Sequence, residues 1–266
     1  MTTPKTPSAQ PKPLSPHTSA TTAATTLQSY TPARVSLRRT GVSLATAEVL
    51  DFQLAHAEAR DAVKAELDPN QFSHRLLTEL PALTAPILTL ASAAPDRTTY
   101  LRRPDLGRTL TPASASFLKP ALCDIVIIIA DGLSATAIEH HAIPLLIELL
   151  PILTQSNYTL GPICIVTQAR VAIADEIGAL LKARLSLILI GERPGLSSPD
   201  SLGAYITWSP APGRTDADRN CISNIRTAGL DYATAATRIA FYCSEAQRLQ
   251  LTGTALKEIT HPLLNQ

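Results

Sequence analysis

Three short polar segments, each directly after an aliphatic run, hold the residues best suited to chemistry. In the clearest of them, "LILIGERPGL" over residues 187–196, the aliphatic run ends in a glycine, a carboxylate, a guanidinium and a Pro-Gly turn. Glu192 of this segment has the chemistry of a catalytic acid or of a ligand-binding group, and its plainer interpretation is a solvated loop charge. The comparable segments are residues 131–134 and 168–171, and residues 220–224 are candidates to close over them.

The elements around these segments predict where they lie. Continuous apolar runs, typical of strands buried on both faces, occupy residues 124–130, 162–166, 185–191 and 202–208. Helical periodicity or helix-end signals appear over residues 46–63, 71–80, 172–181 and 231–251, and Ser134 is a candidate helix cap. Alternation of strands and helices predicts a parallel sheet with helices on both faces. Ligands of such open sheets bind beyond the carboxyl ends of the strands, which is the predicted position of the polar segments.

The predicted fold class is α/β, with three regions along the chain. Residues 121–266 form a Rossmann-like parallel sheet flanked by helices, and residues 29–120 form a mainly helical N-terminal region that is turn-like after Tyr100. Residues 1–28 are rich in Pro, Thr and Ser and hold almost no large apolar side chain. Such a segment buries too little surface to offset the entropy of ordering, so a disordered tail is predicted.

The composition indicates a globular protein and does not favour a nucleic-acid or membrane partner. The chain has 266 residues, of which 45 % are hydrophobic, so a globular core is expected. Its net charge of +1 gives no argument for nucleic acid, an acidic membrane surface or a polyanionic substrate. No apolar run approaches the roughly 20 residues of a membrane helix, and the N-terminal stretch lacks the apolar segment of a secretory signal. A cytoplasmic protein is predicted.

The common catalytic and nucleotide-binding motifs are absent from the sequence. It contains no G-x-G-x-x-G, no P-loop and no G-x-S-x-G, so binding of NAD or ATP and hydrolase chemistry are disfavoured. None of the six histidines is spaced with an acid and a nucleophile as in a triad, and His140 and His141 are predicted to be surface or interface residues of a helix. The four cysteines form no CxxC pair, so reduced thiols and no metal site are expected.

Larger blocks of sequence carry a family resemblance that covers residues 31–258. The blocks are "TPARVSLRRTG", "FQLAHAEARDAV", "YLRRPDLGR", "DIVIIIADGLSATAIE", "ARVAIADEIG", "LILIGERPGL", "SLGAYITWSP" and "DRNCISNI". Through them the chain resembles the small subunits of ethanolamine ammonia-lyase. The pair "ADGLSATA" and "GERPGL", at this spacing, is the most specific part of the resemblance.

The resemblance implies a subunit of an adenosylcobalamin-dependent carbon–nitrogen lyase that converts ethanolamine to acetaldehyde and ammonia. In this family the large subunit is a (β/α)₈ barrel that holds the substrate and the hydrogen-abstracting residues. The small subunit packs across the barrel mouth and encloses the corrinoid, so a hetero-oligomer is expected and no catalytic residue is expected on this chain. The cofactor carries the difficult chemistry, and the protein supplies enclosure and orientation.

The family's small-subunit cobalamin contacts match Val171, Glu192 and Cys221. The resemblance implies that the Glu192 carboxylate accepts N–H donors of the corrin side-chain amides and that Val171 lies against the macrocycle. It implies packing or a backbone contact for Cys221. Without the resemblance, the plainer interpretations are a solvated charge, a core residue and an inert buried thiol. Arg193 is a candidate structural partner of Asp131.

Three further features refine what the resemblance implies. The sequence has no Asp-x-His-x-x-Gly, the motif that replaces the lower base with histidine, so base-on cobalamin is expected. Ala169 stands where a glycine is usual in the family. The family includes members enclosed in bacterial microcompartments, whose N-terminus can form an encapsulation helix. Here that helix is disfavoured by the prolines at positions 4, 7, 11, 13 and 16.

Two alternatives from other functional classes stay open. One is a lone Rossmann-like module that binds a nucleotide or a free corrinoid. The other is a purely structural chaperone of the large subunit.

Overall fold

The computed structural model describes residues 30–257 apart from Pro32 and Ser36, so the tail predicted over 1–28 lies outside the described residues. The chain divides between Leu54 and Ala55 into two compact units. The N-terminal unit contains the short antiparallel strands β1 (Arg39–Thr40) and β2 (Ser43–Leu44) and the first half of helix α1 (Thr46–Lys64).

Helix α1 confirms the predicted helix over 46–63. In its first half the side chains of Leu50 and Leu54 are 59 % and 60 % exposed. The N-terminal unit is held in part by ion pairs, of which the Arg38 Nε to Glu48 Oε1 contact is 3.0 Å. Leu50 and Leu54 therefore present apolar surface to solvent.

The larger unit is built on a six-stranded sheet. Its strands are β3 (Ile87–Ala91), β4 (Ile125–Ala130), β5 (Leu160–Thr167), β6 (Leu185–Gly191), β7 (Leu202–Trp208) and β8 (Asn220–Ile225). They lie in the order β3-β5-β4-β6-β7-β8. Neighbours from β3 to β6 are parallel, whereas β7 is antiparallel to both β6 and β8. The predicted α/β class with a mostly parallel sheet is confirmed.

Helices flank this sheet. They are α2 (Pro69–Glu79), α3 (Arg97–Arg102), α4 (Pro112–Phe117), α5 (Ala135–Gln155), α6 (Ile173–Leu181) and α7 (Tyr232–Leu249), and single 3₁₀ turns cover Leu106–Arg108, Asp216–Asp218 and Gly253–Ala255. As predicted, Ser134 caps α5, because its Oγ accepts a hydrogen bond from the N–H of Ala137 at 3.3 Å. Helix α5 is long and apolar enough to cross a membrane, but ten of its 21 residues are buried in the protein, so it is a core helix.

Two strands of the sheet, β3 and β8, and the antiparallel direction of β7 were not predicted from the sequence. Strand β3 lies within the region predicted as mainly helical, and it pairs with β5 at one edge. Strand β8 alternates buried and exposed side chains, and therefore lacks the continuous apolar run used to find the other strands. Strand β7 runs antiparallel because the ten residues between β6 and β7 hold no crossover helix. The division of the chain at residue 121 stays a prediction.

The two faces of the sheet are covered unequally. Helices α2, α5 and α7 cover one face along the strands, where alternate side chains such as Ile127, Leu187 and Ile222 form one apolar cluster. On the other face α6 packs against β4 and β6, with Val126 and Ile188 in a second cluster. Helix α6 reaches the two outer strands near Thr207 and Arg219, but Cys221 and Ser223 of β8 are exposed, so one corner of the sheet is left open.

At the carboxyl ends of β4 and β6 the backbone of one loop packs directly on the other. The N–H of Leu133 donates to the carbonyl of Gly191 at 2.9 Å. A Cβ at Gly191 would lie 2.6 Å from the Asp131 carbonyl and would overlap the Ser134 carbonyl, and Gly132 has a φ of +57° that favours glycine. Strands β5 and β6 lie on opposite sides of β4, which makes the crevice between β4 and β6 the topological switch point of the sheet. The chain's own backbone fills it.

This packing predicts that Gly191→Ala destabilises the fold severely. The obstructing atoms are backbone carbonyls that cannot swing aside, so the free energy of unfolding should fall by about 2–4 kcal/mol. Urea denaturation of the full-length chain measures the change. Gly195→Ala is the matched control, because the nearest atom to its added Cβ is the mobile Ser198 Oγ, at 3.1 Å. Equal stability of the two variants would contradict the packing argument.

Candidate functional site

The uncovered corner of the sheet forms an open face, defined here as Gly203 and Tyr205 of β7, Cys221 and Ser223 of β8, and Glu192 at their edge. Tyr205 and Cys221 are direct cross-strand partners in the antiparallel register, so their side chains lie on the same side of the sheet. Tyr205 is half-buried, and Cys221 is exposed with its Sγ 3.3 Å from the Ser223 Oγ. The predicted loop over 220–224 is thus an edge strand that forms part of the site floor.

Glu192 is held at the edge of the open face by one of its two carboxylate oxygens. Its Oε2 accepts hydrogen bonds from the Ser201 hydroxyl at 2.5 Å and from the backbone N–H of Asn224 at 3.2 Å. Its Oε1 lies beside Gly203, where an added Cβ would be 3.0 Å away. Among the residues that the structure describes, Oε1 has no hydrogen-bond partner. This oxygen is available to an N–H donor from outside the chain.

Tyr205 places a neutral hydroxyl between Glu192 and Cys221. Burial raises the pKa of the Tyr205 hydroxyl, and the neighbouring thiol of Cys221 and carboxylate of Glu192 act in the same direction. The phenol therefore stays protonated at neutral pH. It adds a hydrogen-bond donor and an aromatic surface to a face that is otherwise made of small side chains.

Val171 lies in the turn that leads into α6, on the same side of the sheet. It packs against the apolar cluster that Tyr205 also contacts, and it is half-buried. The turn is fixed from behind, because the N–H of Arg170 donates to the Gly107 carbonyl at 2.7 Å and its guanidinium stacks 4.2 Å from the Tyr100 ring centroid. The structure brings Glu192 and Cys221 to one face, whereas Val171 follows β5, three strands from β7, and shares with Tyr205 only the apolar cluster on that side of the sheet.

Asp131 ties the end of β4 to the turn after β5. Its buried carboxylate accepts the N–H groups of Gln168 at 2.8 Å and Ala169 at 3.1 Å. Burial raises the pKa of Asp131, while these bonds and the nearby guanidinium oppose the rise. The nearby cation is Arg97, with Nη1 3.7 Å from Asp131 Oδ2. Arg97, rather than Arg193, is the cation that the structure records beside Asp131.

A buried ion pair supports the open face from the amino-terminal side of the strands. Arg219, at the start of β8, makes a two-pronged contact with Asp175 of α6, with N–O distances of 2.7 and 2.9 Å. The Arg219 guanidinium also donates to Thr207 Oγ1 at 3.4 Å. Because Thr207 and Tyr205 lie on the same side of β7, this pair fixes α6 against the open part of the sheet.

His140, His141 and Asp200 form the one group of potential metal ligands found among the described residues, with ligand atoms within 4.8 Å of one another. Both ring nitrogens of His141 already have partners, the Tyr232 hydroxyl at 2.9 Å and Asp200 Oδ2 at 3.2 Å. The Arg226 guanidinium lies 3.7 Å from the other Asp200 oxygen. A guanidinium in this position disfavours a second cation, so the group is better explained as an internal network.

The comparisons with known proteins point to one family. A profile of the ethanolamine ammonia-lyase light chain matches residues 21–257. The chain belongs to the family of ethanolamine ammonia-lyase small subunits. It is 52 % identical over 238 residues to the small subunit of Azotobacter vinelandii, with 87 % of each chain covered. It is 50 % identical over 236 residues to that of Bradyrhizobium diazoefficiens, covering 87 % of this chain and 89 % of the relative.

A third relative, from Pseudomonas aeruginosa strain LESB58, is 50 % identical over 238 residues, which cover 87 % of this chain and 86 % of that one. The family resemblance seen in the sequence is therefore confirmed. Members are subunits of a cobalamin-dependent carbon–nitrogen lyase, and a small subunit implies a large subunit as its partner.

Several residues of the site were missed from the sequence. Tyr205, Ser201 and Asn224 lie around Glu192, but none of them belongs to a catalytic or ligand-binding motif that the sequence shows. One signal was present: small or polar side chains alternate with apolar ones in "LGAYITW" and "NCISNI", as expected for strands with one open face. The ion pair of Arg219 and Asp175 joins residues 44 positions apart, and no local pattern indicates it.

The buried pair gives a stability prediction with an internal control. Asp175→Asn leaves the Arg219 guanidinium buried without its two-pronged partner, so the free energy of unfolding should fall by about 3 kcal/mol. Asp216 also lies near Arg219, at 3.6 Å, but its side chain is 98 % exposed, so Asp216→Asn should change little. Thermal and urea denaturation of both variants measures this difference. Equal effects would show that the pair does not hold α6 in place.

Proposed function

We propose that this chain is the cofactor-enclosing subunit of an adenosylcobalamin-dependent ethanolamine ammonia-lyase, acting on ethanolamine to give acetaldehyde and ammonia. The open face is the surface that would contact the corrin ring, and the large subunit would close over the other side. The single observation that carries this proposal is the carboxylate of Glu192. Its Oε2 is fixed by Ser201 and Asn224, and its Oε1 lies beside Gly203 without a hydrogen-bond partner among the described residues.

The residues present fit a corrinoid. The corrin periphery carries acetamide and propionamide groups, whose N–H donors match the free oxygen of Glu192 and whose carbonyls match the Tyr205 hydroxyl. The flat macrocycle suits a shallow surface with a small thiol on its floor at Cys221, and Val171 on the same side of the sheet would offer it an apolar side chain. When bound, the cofactor supplies the radical chemistry, and the residues of this chain bind, orient and shield it.

The packing at the switch point argues against the alternative of a nucleotide-binding module. Dinucleotides in Rossmann folds bind in the crevice at that point, with the pyrophosphate at a helix N-terminus. Here the Leu133–Gly191 backbone hydrogen bond closes the crevice between β4 and β6. A ligand at the carboxyl ends of the strands is therefore directed outward, onto the open face.

The remaining parts of the proposal concern assembly. A (β/α)₈ large subunit in a hetero-oligomer would provide the substrate site and the catalytic residues, so none is assigned to this chain. The exposed apolar side chains of Leu50 and Leu54 in the N-terminal unit are surface that an obligate partner would bury. We place the enzyme in the cytoplasm, and the proline-rich N-terminal sequence argues against enclosure in a microcompartment.

Glu192→Ala should weaken cobalamin binding by the assembled enzyme. Loss of a charge-assisted hydrogen bond in a partly buried site should cost about 1–3 kcal/mol of binding free energy, roughly 5- to 150-fold in the dissociation constant. Equilibrium dialysis of cyanocobalamin against the purified complex of both subunits measures the affinity without relying on turnover.

Glu245→Ala is the matched control, because Glu245 is a partly buried glutamate of α7 that pairs with Arg248, and α7 covers the opposite face of the sheet. Its affinity should equal that of the parent enzyme. Unchanged cobalamin affinity in Glu192→Ala would contradict a ligand role for Glu192 and would favour the alternative of a structural chaperone.

We further propose that the cofactor binds base-on, with its own dimethylbenzimidazole on cobalt. The histidines nearest the carboxyl end of the sheet, His140 and His141, belong to α5 on the opposite face, and His141 is engaged by Tyr232 and Asp200. Nitrogen-15 labelling of the protein imidazoles, read by electron paramagnetic resonance of the bound cobalt(II) form, should therefore show no isotope-dependent hyperfine coupling. Coupling that changes with the labelled histidine would exclude base-on binding.

A further inference from the structure

Asp200 lies where three elements of the larger unit meet. It is the second-last residue of the loop between β6 and β7, directly before Ser201. Its Oδ2 is 3.2 Å from His141 Nε2 of α5, and its Oδ1 is 3.7 Å from the Arg226 guanidinium in the turn after β8. Its side chain is 28 % exposed. The Asp200 carboxylate thus joins the loop that begins with Glu192 to helix α5 and to the turn after β8.

Both hydrogen bonds that hold Glu192 lead back to Asp200. The first donor, the Ser201 hydroxyl, belongs to the adjacent residue in the chain. The second donor, the N–H of Asn224, belongs to a residue whose side-chain Oδ1 accepts from Arg226 Nε at 3.1 Å. Asn224 has a φ of +60°, a left-handed conformation that asparagine adopts more readily than most residues. Arg226, in contact with Asp200, holds its side chain.

The anchor at His141 is itself well fixed. His141 is a buried residue of α5, and its Nδ1 is 2.9 Å from the hydroxyl of Tyr232 at the start of α7. Next to Asp200, the carbonyl of Pro199 accepts a hydrogen bond from Ser134 Oγ at 2.9 Å. The end of the loop is therefore tied to α5 at two adjacent residues, while its middle, at Leu196 and Ser197, is exposed.

We infer that Asp200 is a positioning residue for the cofactor site: it fixes Ser201 and Asn224, and through them aims the free oxygen of Glu192 at the corrin amides. The inference rests on the proposed role of Glu192 as a cobalamin ligand. Asp200 itself makes no contact with the cofactor. It acts through the peptide link to Ser201 and through the contact of Arg226 with Asn224. Ser201 and Asn224 both donate to the same oxygen, Glu192 Oε2.

A double-mutant cycle on the assembled two-subunit enzyme tests this inference. Asp200→Asn keeps the size of the side chain but removes its charge, and it should weaken cyanocobalamin binding about ten-fold in equilibrium dialysis. In the Glu192→Ala background the same change should have no further effect, because the group that Asp200 positions is gone. Asp105→Asn is the control, since Asp105 is an exposed aspartate that pairs with Arg103.

A second variant covers the case in which Asp200→Asn fails to assemble. His141→Gln removes the helix anchor and leaves Asp200 with Arg226, so a loss of a few-fold in affinity is expected, again only when Glu192 is present. An additive loss in the Glu192→Ala background, or no loss in its presence, would overturn the positioning role of Asp200. If Glu192→Ala alone binds as tightly as the parent enzyme, the proposed function of Glu192 fails instead.

Discussion

The backbone contact between the loops after β4 and β6 is the constraint on which the site depends. In a doubly wound sheet the crevice at the switch point is the natural place for a ligand. Here Gly132 and Gly191 let the two loops approach so closely that Leu133 donates directly to the Gly191 carbonyl. The chain at Glu192 is therefore directed away from the crevice and toward β7 and β8, where one corner of the sheet is left open. A shallow face replaces a deep pocket, and this suits a large flat cofactor held between two proteins.

Charged side chains stabilise the open face both in the protein interior and at its rim. The buried Asp131 carboxylate joins the ends of β4 and β5 through backbone N–H groups, and Arg97 compensates its charge. The pair of Asp175 and Arg219 fixes α6 against the sheet beside the open face. At the rim, Glu192 is fixed through only one oxygen, so the support is internal while the second oxygen stays free for a ligand. Rigid supports around a partly satisfied group are expected where a protein pre-organises a binding surface.

The sequence predicted the strands and helices that have a local sequence pattern. The continuous aliphatic runs of β4, β5 and β6 predicted their strands, and the Ser134 cap and the helical segments were also found where the structure has them. The edge strands β3 and β8 were missed, since β3 is short and β8 has one exposed face that breaks up the apolar run. Family resemblance indicated Val171, Glu192 and Cys221, but the residues that hold the Glu192 carboxylate are Ser201, just before β7, and Asn224, near the end of β8. Contacts such as that of Arg226 with Asn224 depend on register and loop geometry, which composition and spacing do not encode.

We expect the cofactor to contact the open face and not the crevice between β4 and β6. Hydrogen exchange of the assembled enzyme, with and without cyanocobalamin, distinguishes the two positions. Cofactor binding should slow amide exchange in residues 192–201 and 220–226 and leave β3, at the far edge of the sheet, unchanged. Protection confined to residues 131–134, with none at 192–201 or 220–226, would place the cofactor at the crevice and would refute binding at the open face.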